Sequence, residues 1–598
     1  MKKKSNLFII IKSLFLGSKH LDEVDVFKED ELQSPFRTIV KNFLENKIAM
    51  TGLVVFSFIL FCSLILPFFY PLDTSFQDST QQNVAPGLNI LSVPSSLSKD
   101  VEQISVGSTY SFGIDNEGEL YSWGQLSNSK LLDIPEDMGD LVQISTGLDH
   151  VLALSEDGIV YTWGNNRLGL GDIPSEVEEL TNIAKVYAGQ QLSFVITDDG
   201  YLYSWGNTNI INVRIPEEIQ GKVVDVQTNT AAAVALTDEG TIHVLLNQDT
   251  PLNKIPEEIQ GHIVDFALTS QNCIAVTDDG MVYVWGGLYP SVETIPDAVQ
   301  GIAKDVAAGR NHVTVVTTEG TVYSWGRNVY GEANAPSITN AVSVSAGYYQ
   351  NYVVLEDNSL VTWGLSGYIM GTDAYGRDVL NRLIAGGQMT ILIGAIAVLI
   401  QSIIGILVGG FAGYYGGRID NFLMRMAEVV GSIPFIPLAM ILSAVIGSSI
   451  SEDARIIMIM VILGVLSWPG LARLIRGQVL AEKQKEFVTA AKAMGLKERV
   501  IIFKHILPNV ITVIIVSVTL SFASSMLTET SLSFLGFGVL EPRATWGNML
   551  TGSQSSTVIQ VFWWRWVFPA LALGLSTISI NLIGDGLRNA IDPKSNER

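Results

Sequence analysis

The stretch DDGYLYSWG, Asp198–Gly206, places two acids and a glycine ahead of alternating β-formers that end in Trp-Gly. Related stretches are NEGELYSWG at Asn116–Gly124, EDGIVYTWG at Glu156–Gly164, DEGTIHVLL at Asp238–Leu246, DDGMVYVWG at Asp278–Gly286, TEGTVYSWG at Thr318–Gly326 and EDNSLVTWG at Glu356–Gly364. Their third residues step along the chain by 40, 42, 40, 40, 40 and 38 positions. A fixed period of this size marks a repeat architecture. Turn residues before alternating β-formers predict antiparallel hairpins. Each unit adds an upstream strand, such as VVDVQ at Val223–Gln227, and a middle one, such as FVIT at Phe194–Thr197. Four short strands in each of seven units predict a closed seven-bladed β-propeller, which leaves few edges exposed. Trp123, Trp163, Trp205, Trp285, Trp325 and Trp363 recur at one position and read as blade packing. The fourth unit carries Leu245-Leu246 there and is degenerate. His150 and His312 also share a repeat position and read as structural.

Outward from the repeats the composition changes. The chain has 598 residues, 48% hydrophobic and 16% charged, with a net charge of −22. Between Pro71 and Ser366 it holds 10 Lys and Arg against 38 Asp and Glu, a net of −28; the remainder is mildly basic. So acidic a block repels phosphates and excludes nucleic acid as its partner. Cys62 and Cys273 lie in different parts of the chain and predict neither a disulfide nor a zinc cluster.

A spanning helix needs about 20 apolar residues. Ile48–Tyr70 qualifies, as do Thr390–Tyr414, Phe422–Ile446, Ile456–Leu471, Val510–Met526 and Val567–Ile583. With the N-terminus in the cytoplasm, the inner segments hold 22 Lys and Arg and the outer ones near the membrane hold 5. That bias predicts both termini inside and the propeller outside. Met1–Gly17 reads as an uncleaved interfacial helix. Asp373, Arg377 and Asp378 read as anchors of an interfacial helix, and Trp563, Trp564 and Trp566 as an outer aromatic belt. Glu428, inside an apolar run, is either a functional intramembrane carboxylate or a group near the span's inner end that pairs with Arg425 or sits in water.

The longest charged stretch between spans, Arg473–Asn509, reads RLIRGQVLAEKQKEFVTAAKAMGLKERVIIFKHILPN. Helix formers run from Val479 to Met494, Gly495 stops them, and helical spacing resumes over Leu496–Leu507 until Pro508. This predicts two short helices with a glycine elbow. Ala490, Ala491 and Ala493 permit the close approach of another surface.

EFVTAAKAMG followed by IIFKHILPN resembles the EAA loop of ABC-importer permeases. GTDAYGRDVLNRLIAGG at Gly371–Gly387, SLSFLGFGVLEPRATWGNML at Ser531–Leu550 and FPALALGLSTISINLIGDGLRNAIDP at Phe568–Pro593 resemble one branch, the second permease subunit of dipeptide and oligopeptide importers. The repeat resembles that of the regulator-of-chromosome-condensation family. These resemblances imply a multi-domain chain in which a six-span α-helical permease core carries an extracytoplasmic all-β propeller in its first outer loop. The expected divisions are a cytoplasmic segment 1–47, a first transmembrane helix 48–70, a propeller insert 93–365 and a permease domain 369–594 with the EAA loop at 479–509.

The implied activity is passage of di- or oligopeptides from an extracytoplasmic binding protein into the cytoplasm, in complex with a second permease and two ABC ATPases, within a lipid membrane. Glu486, Ala490, Ala491, Ala493, Gly495, His505 and Pro508 are the implied ATPase-coupling residues. The chain has no G-x-x-x-x-G-K-[ST] phosphate loop, so it is expected to be no enzyme, with hydrolysis in separate subunits. No catalytic residue, metal ligand or cofactor is assigned. The residues leave open an importer of nickel or another small solute, and a membrane-anchored propeller receptor or adhesion module. The glycine elbow speaks against a mere anchor.

Overall fold

The computed structural model describes residues 35–591 apart from 70–71, 73–75, 126–128, 208–212, 230–231, 247 and 448–449. The expected helix at Met1–Gly17 lies outside the described residues. The chain divides into two compact units. One comprises residues up to 66, 390–538 and 572 onward; the other comprises 67–389 and 539–571.

The second unit holds seven three-stranded antiparallel sheets, each built from consecutive strands. Successive sheets touch, and the last, from Ala341, touches the first, from Val101, so the ring is closed. Closure uses end-to-end contact: Ser345 Oγ donates to the Ile104 carbonyl at 3.2 Å, and Gln350 Nε2 to that of Gly107 at 3.1 Å. Among the described residues, irregular chain with short helical turns stands where a fourth strand was expected, as at Glu217–Ile219, Glu257–Ile259 and Asp297–Val299. Pro216, Pro256 and Pro296 stand immediately before these turns, and proline has no N–H to offer a ladder.

The acidic hairpin turns need a residue at positive φ. Six units use glycine there, from Gly118 at 79° to Gly320 at 74°, and the seventh uses Asn358 at 58°. Asparagine is among the few other residues that visit this region.

The repeated tryptophans bridge neighbouring units. The indole N–H of Trp205 donates to the Leu170 carbonyl at 3.0 Å, that of Trp285 to Leu252 at 2.9 Å, and that of Trp325 to Val292 at 2.9 Å. Trp363 donates to the Glu332 carbonyl at 3.0 Å. Trp123 at the closing seam donates to the Tyr352 hydroxyl at 3.0 Å, and Trp163 has no partner among the described residues. In the fourth unit Leu245 fills the same place, fully buried against Phe194 and Ile219. Apolar cores thus lie between adjacent sheets, and a hydrogen bond in most units satisfies the buried indole.

Side chains of the first strands staple one unit to the next. Gln103, Gln143, Asp265 and Asp305 each accept the backbone N–H of the following unit's first strand, from Ile144, Val186, Val306 and Val344, at 2.8–2.9 Å. Burial pushes the carboxyls of Asp225, Asp265 and Asp305 above the usual range, most for Asp265, which also faces Asp305. His150 and His312 are buried, with Nε2 at 3.0 Å from Ser193 Oγ and Asn351 Oδ1 respectively. Burial lowers both imidazoles to about 4, so both are neutral at pH 7.

The other unit is helical. Among the described residues, five helices are long and apolar enough to cross a membrane: Lys47–Phe68, Val379–Tyr415, Glu452–Glu482, Glu498–Phe534 and Trp564–Ile591. The stretch expected as a single span over Phe422–Ile446 is instead two helices, Gly417–Ser432 and Phe435–Gly447, bent by 76°. Pro434 is the cause: the residue before proline is driven out of the helical region, and Ile433 sits at φ −79°, ψ 127°. Among the described residues the candidate spans therefore number five, or six if the bent pair is one.

Glycines set the closest helix packing. A Cβ on Gly405 would lie 3.0 Å from Leu471 Cδ2, one on Gly409 2.5 Å from the Ala472 carbonyl, and one on Gly413 2.8 Å from that of Arg476. Spaced four apart, they form one small-residue stripe along Val379–Tyr415 that admits the backbone of Glu452–Glu482.

Candidate functional site

The loop between Glu452–Glu482 and Glu498–Phe534 is built around a helix stop. Glu452–Glu482 ends with Lys483, and a separate short helix, Glu486–Ala493, follows. The expected continuous helix from Val479 is thus broken at 483–485, where Lys485 becomes the new helix's N-cap and pairs with Glu482 at 2.6 Å. The short helix ends in a Schellman motif: Leu496 N–H donates to the Ala491 carbonyl at 3.2 Å and Gly495 N–H to that of Lys492 at 3.0 Å. Gly495 holds φ 76°, the left-handed geometry that this cap demands. A Cβ there would meet nothing within 4 Å, so the demand is one of backbone conformation alone.

Helix resumes at Glu498, widens into a π-turn over Ile501–Ile506, and continues as Leu507–Phe534. Pro508 stands just after the wide turn. It lacks the N–H for a regular bond and clashes with the carbonyl four residues back, and the wider turn absorbs both. A π-turn at Phe61–Ile65 precedes Pro67 in the same way.

The short helix has two faces. Val488 and Ala491 are buried with Tyr414, Ile475, Ile502 and Ile506. Glu486, Ala490, Ala493, Gly495 and Pro508 are exposed, and His505 is half-buried. Ala491 therefore faces the protein's own core, apart from its neighbours in the motif. The exposed side carries apolar residues that the sequence reading left out: Met494 at 71%, Phe503 at 44% and Leu496 at 36% exposure. Lys483 and Lys492 lie over the Tyr414 ring at 5.5 and 5.2 Å. A further support was also missed. Arg476 grips Asp420 with two bonds, 2.5 and 2.6 Å. These partners are 56 residues apart and belong to no local pattern. Glu529 was likewise missed: it is fully buried, with Ser533 Oγ donating to it at 2.7 Å, and an intramembrane carboxylate carries functional weight by default.

In the other unit, the chain on either side of the ring is zipped together. Asp78 N–H donates to the Tyr375 carbonyl at 3.0 Å, Asn83 to Asp373 at 2.9 Å, Thr372 to Val84 at 2.9 Å and Gly87 to Tyr368 at 3.0 Å. Residues 539–571 hold this stem. Arg377 binds Asp373 at 2.7 Å and Glu541 at 2.6 Å, and Arg382 binds Glu541 at 2.9 Å. Arg565 donates to Asn83 at 2.9 Å. Asp373 and Arg377 are thus members of a buried ion cluster. Trp564, expected in an aromatic belt, is buried and donates to the Thr372 carbonyl at 2.9 Å; its polar edge finds a partner inside the protein. Glu428 pairs with Arg425 at 2.7 Å, both exposed.

The family model of the binding-protein-dependent transport system inner membrane component matches residues 405–597. That of the N-terminal transmembrane domain of oligopeptide transport permease C matches 34–86. The regulator of chromosome condensation repeat matches 141–169 and 303–332. A peptide permease protein of Brucella suis is 39% identical over 238 residues, 40% of this chain and 76% of that protein. The chain belongs to the inner-membrane permeases of binding-protein-dependent transport systems. The dipeptide transport permease DppC of Bacillus subtilis is 41% identical over 224 residues, 38% of this chain and 68% of that protein. The oligopeptide transport permease OppC of Escherichia coli is 40% identical over 229 residues, 38% and 73% of the two chains. This permease is a multi-pass membrane protein with an all-β, propeller-like domain between its first two apolar helices.

Proposed function

We propose that this permease is the second membrane subunit of a peptide importer. Short peptides are delivered by an extracytoplasmic binding protein and pass through a pore shared with another permease, driven by two ATPase subunits. The names of the relatives, all peptide permeases, support the cargo. The observation that carries the coupling role is the Schellman-capped elbow at Gly495, which presents Ala490, Ala493, Met494 and Leu496 together while Val488 and Ala491 root it in the helical core. Glu486, His505 and Pro508 complete the element. ATP binding shifts the conformational equilibrium only if the docked element is bound more tightly in one state than the other, and a rigid cap on a rooted helix transmits such a difference.

The bent pair at Pro434 counts as one span in this reading. Six spans would put both termini on one side, and the 22-to-5 bias of basic residues supports the cytoplasm for them and the outside for the propeller. The proposed divisions are the cytoplasmic segment 1–47, the first span 48–70, the insert 93–365 and the permease domain 369–594. Gly495→Trp tests the coupling. In the purified complex it is expected to abolish both ATPase stimulation and peptide uptake while the membrane core stays folded. Normal stimulation and uptake would remove the elbow from the mechanism.

A further inference from the structure

The ring of sheets has two ends, and one of them is taken. At the ends of the first strands, Asp78 of the stem pairs with Arg310 at 3.1 Å and accepts a short hydrogen bond from the Tyr349 hydroxyl, and Gln81 donates to the Ser108 carbonyl at 3.3 Å. Arg327 stacks on Phe76 of the stem at 3.9 Å. The stem therefore occupies that end.

The opposite end carries a repeated irregularity. Every first strand has one extra residue against its partner, where the register skips. A bulge takes its residue out of the ladder and re-aims the side chain. Four of the seven are valines, all solvent-exposed: Val142 at 47%, Val224 at 38%, Val264 at 55% and Val342 at 42%. The others are Glu102, Ala184 and Lys304. Val101 pairs with Asp115 and Val223 with Thr237, so the bulges share their end of the ring with the hairpin turns. Those seven turns read NEG, EDG, DDG, DEG, DDG, TEG and EDN, with acid in each and no Lys or Arg. Of the nearby cations, Lys185 donates to the Val224 carbonyl at 2.9 Å and Lys222 pairs with Glu239 at 2.8 Å.

We propose that this end of the ring is a docking surface for a basic, amphipathic protein segment. Its apolar side chains seat on Val142, Val224, Val264 and Val342, and its lysines or arginines meet the surrounding acidic turns. The valines supply the apolar contact that marks interaction sites. Charge selects the occupant: the acidic rim repels anionic lipid and nucleic acid and attracts a cationic partner. The stem decides which end is offered. The proposal stands apart from the transport reading, since it uses no residue of the helical core.

The test uses the full-length chain in nanodiscs of zwitterionic lipid, with the signal of empty nanodiscs subtracted. The probe is a labelled Lys/Leu amphipathic peptide of roughly five helical turns, read by fluorescence anisotropy beside Lys/Ser and Glu/Leu peptides of equal length. Saturable binding of the Lys/Leu peptide is expected, weakened about tenfold by V224S/V264S and by exchanging Leu for Ser in the probe. The Glu/Leu peptide is expected not to bind. Should V224S/V264S melt early, V142S/V342S carries the same expectation. Undiminished binding to the folded serine variants would mean bulk charge attraction alone and would overturn the proposal, as would absence of Lys/Leu binding. Gly495→Trp is expected to bind the peptide normally while failing to import, which keeps the two readings distinguishable.

Discussion

At the residue scale, two buried groups make the propeller-like domain pH-sensitive in opposite directions. His312, lowered to about 4 by burial, binds its proton more readily in the unfolded chain. Its contribution is present above pH 6.5 and is lost as pH falls toward 4. His312→Gln is expected to remove that loss, on the order of 3 kcal/mol, measured as a flatter dependence of unfolding midpoint on pH between 7 and 4.5. Asp265 behaves in reverse. Its carboxyl is raised by burial and by Asp305, so its contribution is present below the ordinary carboxylate value and is lost as pH rises through the raised one. Asp265→Asn retains an acceptor for Val306 and removes the charge. The variant is expected to gain melting temperature over the parent at pH 8, and the gap is expected to close as the solution is acidified. Tryptophan fluorescence of the full-length protein follows both, since most of its tryptophans lie in this domain.

At the element scale, the helical core depends on closeness and the loop on a cap. Gly409→Leu forces a side chain onto the Ala472 carbonyl, whereas its neighbour Gly410 has only Ile502 Cγ2, at 4.0 Å, within reach of a new Cβ. Overpacking costs about 1–3 kcal/mol. Gly409→Leu is expected to lower the thermal stability of the solubilised protein clearly and Gly410→Ala to leave it near the parent value. Gly495→Ala isolates the cap: no clash arises, and left-handed backbone costs about 1–2 kcal/mol for a residue with Cβ. Its helix Glu486–Ala493 is expected to fray, seen as faster amide exchange over 491–496.

The elements also show how far periodicity reads. The 40-residue spacing of DDG-type turns is a local signal repeated seven times, and it located every sheet. It did not reveal that prolines replace the fourth strand, because the composition of those stretches matches both a strand edge and a helical turn. Pro434 and Pro508 were visible as breakers. Whether a breaker bends a helix by 76° or is absorbed in a π-turn depends on what packs beside it, which no local pattern records.

At the scale of the whole molecule, the ring of sheets and residues 539–571 belong to one compact unit. The ring's two connections are zipped, and Arg377, Arg382 and Glu541 tie them to residues 539–571. Removing one member of a buried ion cluster leaves charge uncompensated. Glu541 is itself 41% exposed, so water softens the loss. Glu541→Gln is expected to leave the ring's melting temperature intact while raising amide exchange in 76–90 and 372–382, measured by mass spectrometry. Unchanged exchange there would show that the backbone ladder alone holds the stem.

The sequence by itself determined the division of the chain: an acidic repeat of period 40, apolar stretches long enough to span a bilayer, and a glycine-stopped loop matching one transporter family. These depend on composition, period and neighbouring residues, all of which a single strand of text contains. Only the tertiary structure decided what meets across long separations. It paired Asp420 with Arg476, set Glu541 between two arginines some 160 residues away, turned Ala491 inward beside exposed Ala490, buried Trp564, and used one end of the ring for the stem while leaving four valines bare at the other. Such pairings arise when distant segments pack and must satisfy each other's charges and hydrogen bonds, a condition set by the folded surface and by nothing in the local order of residues.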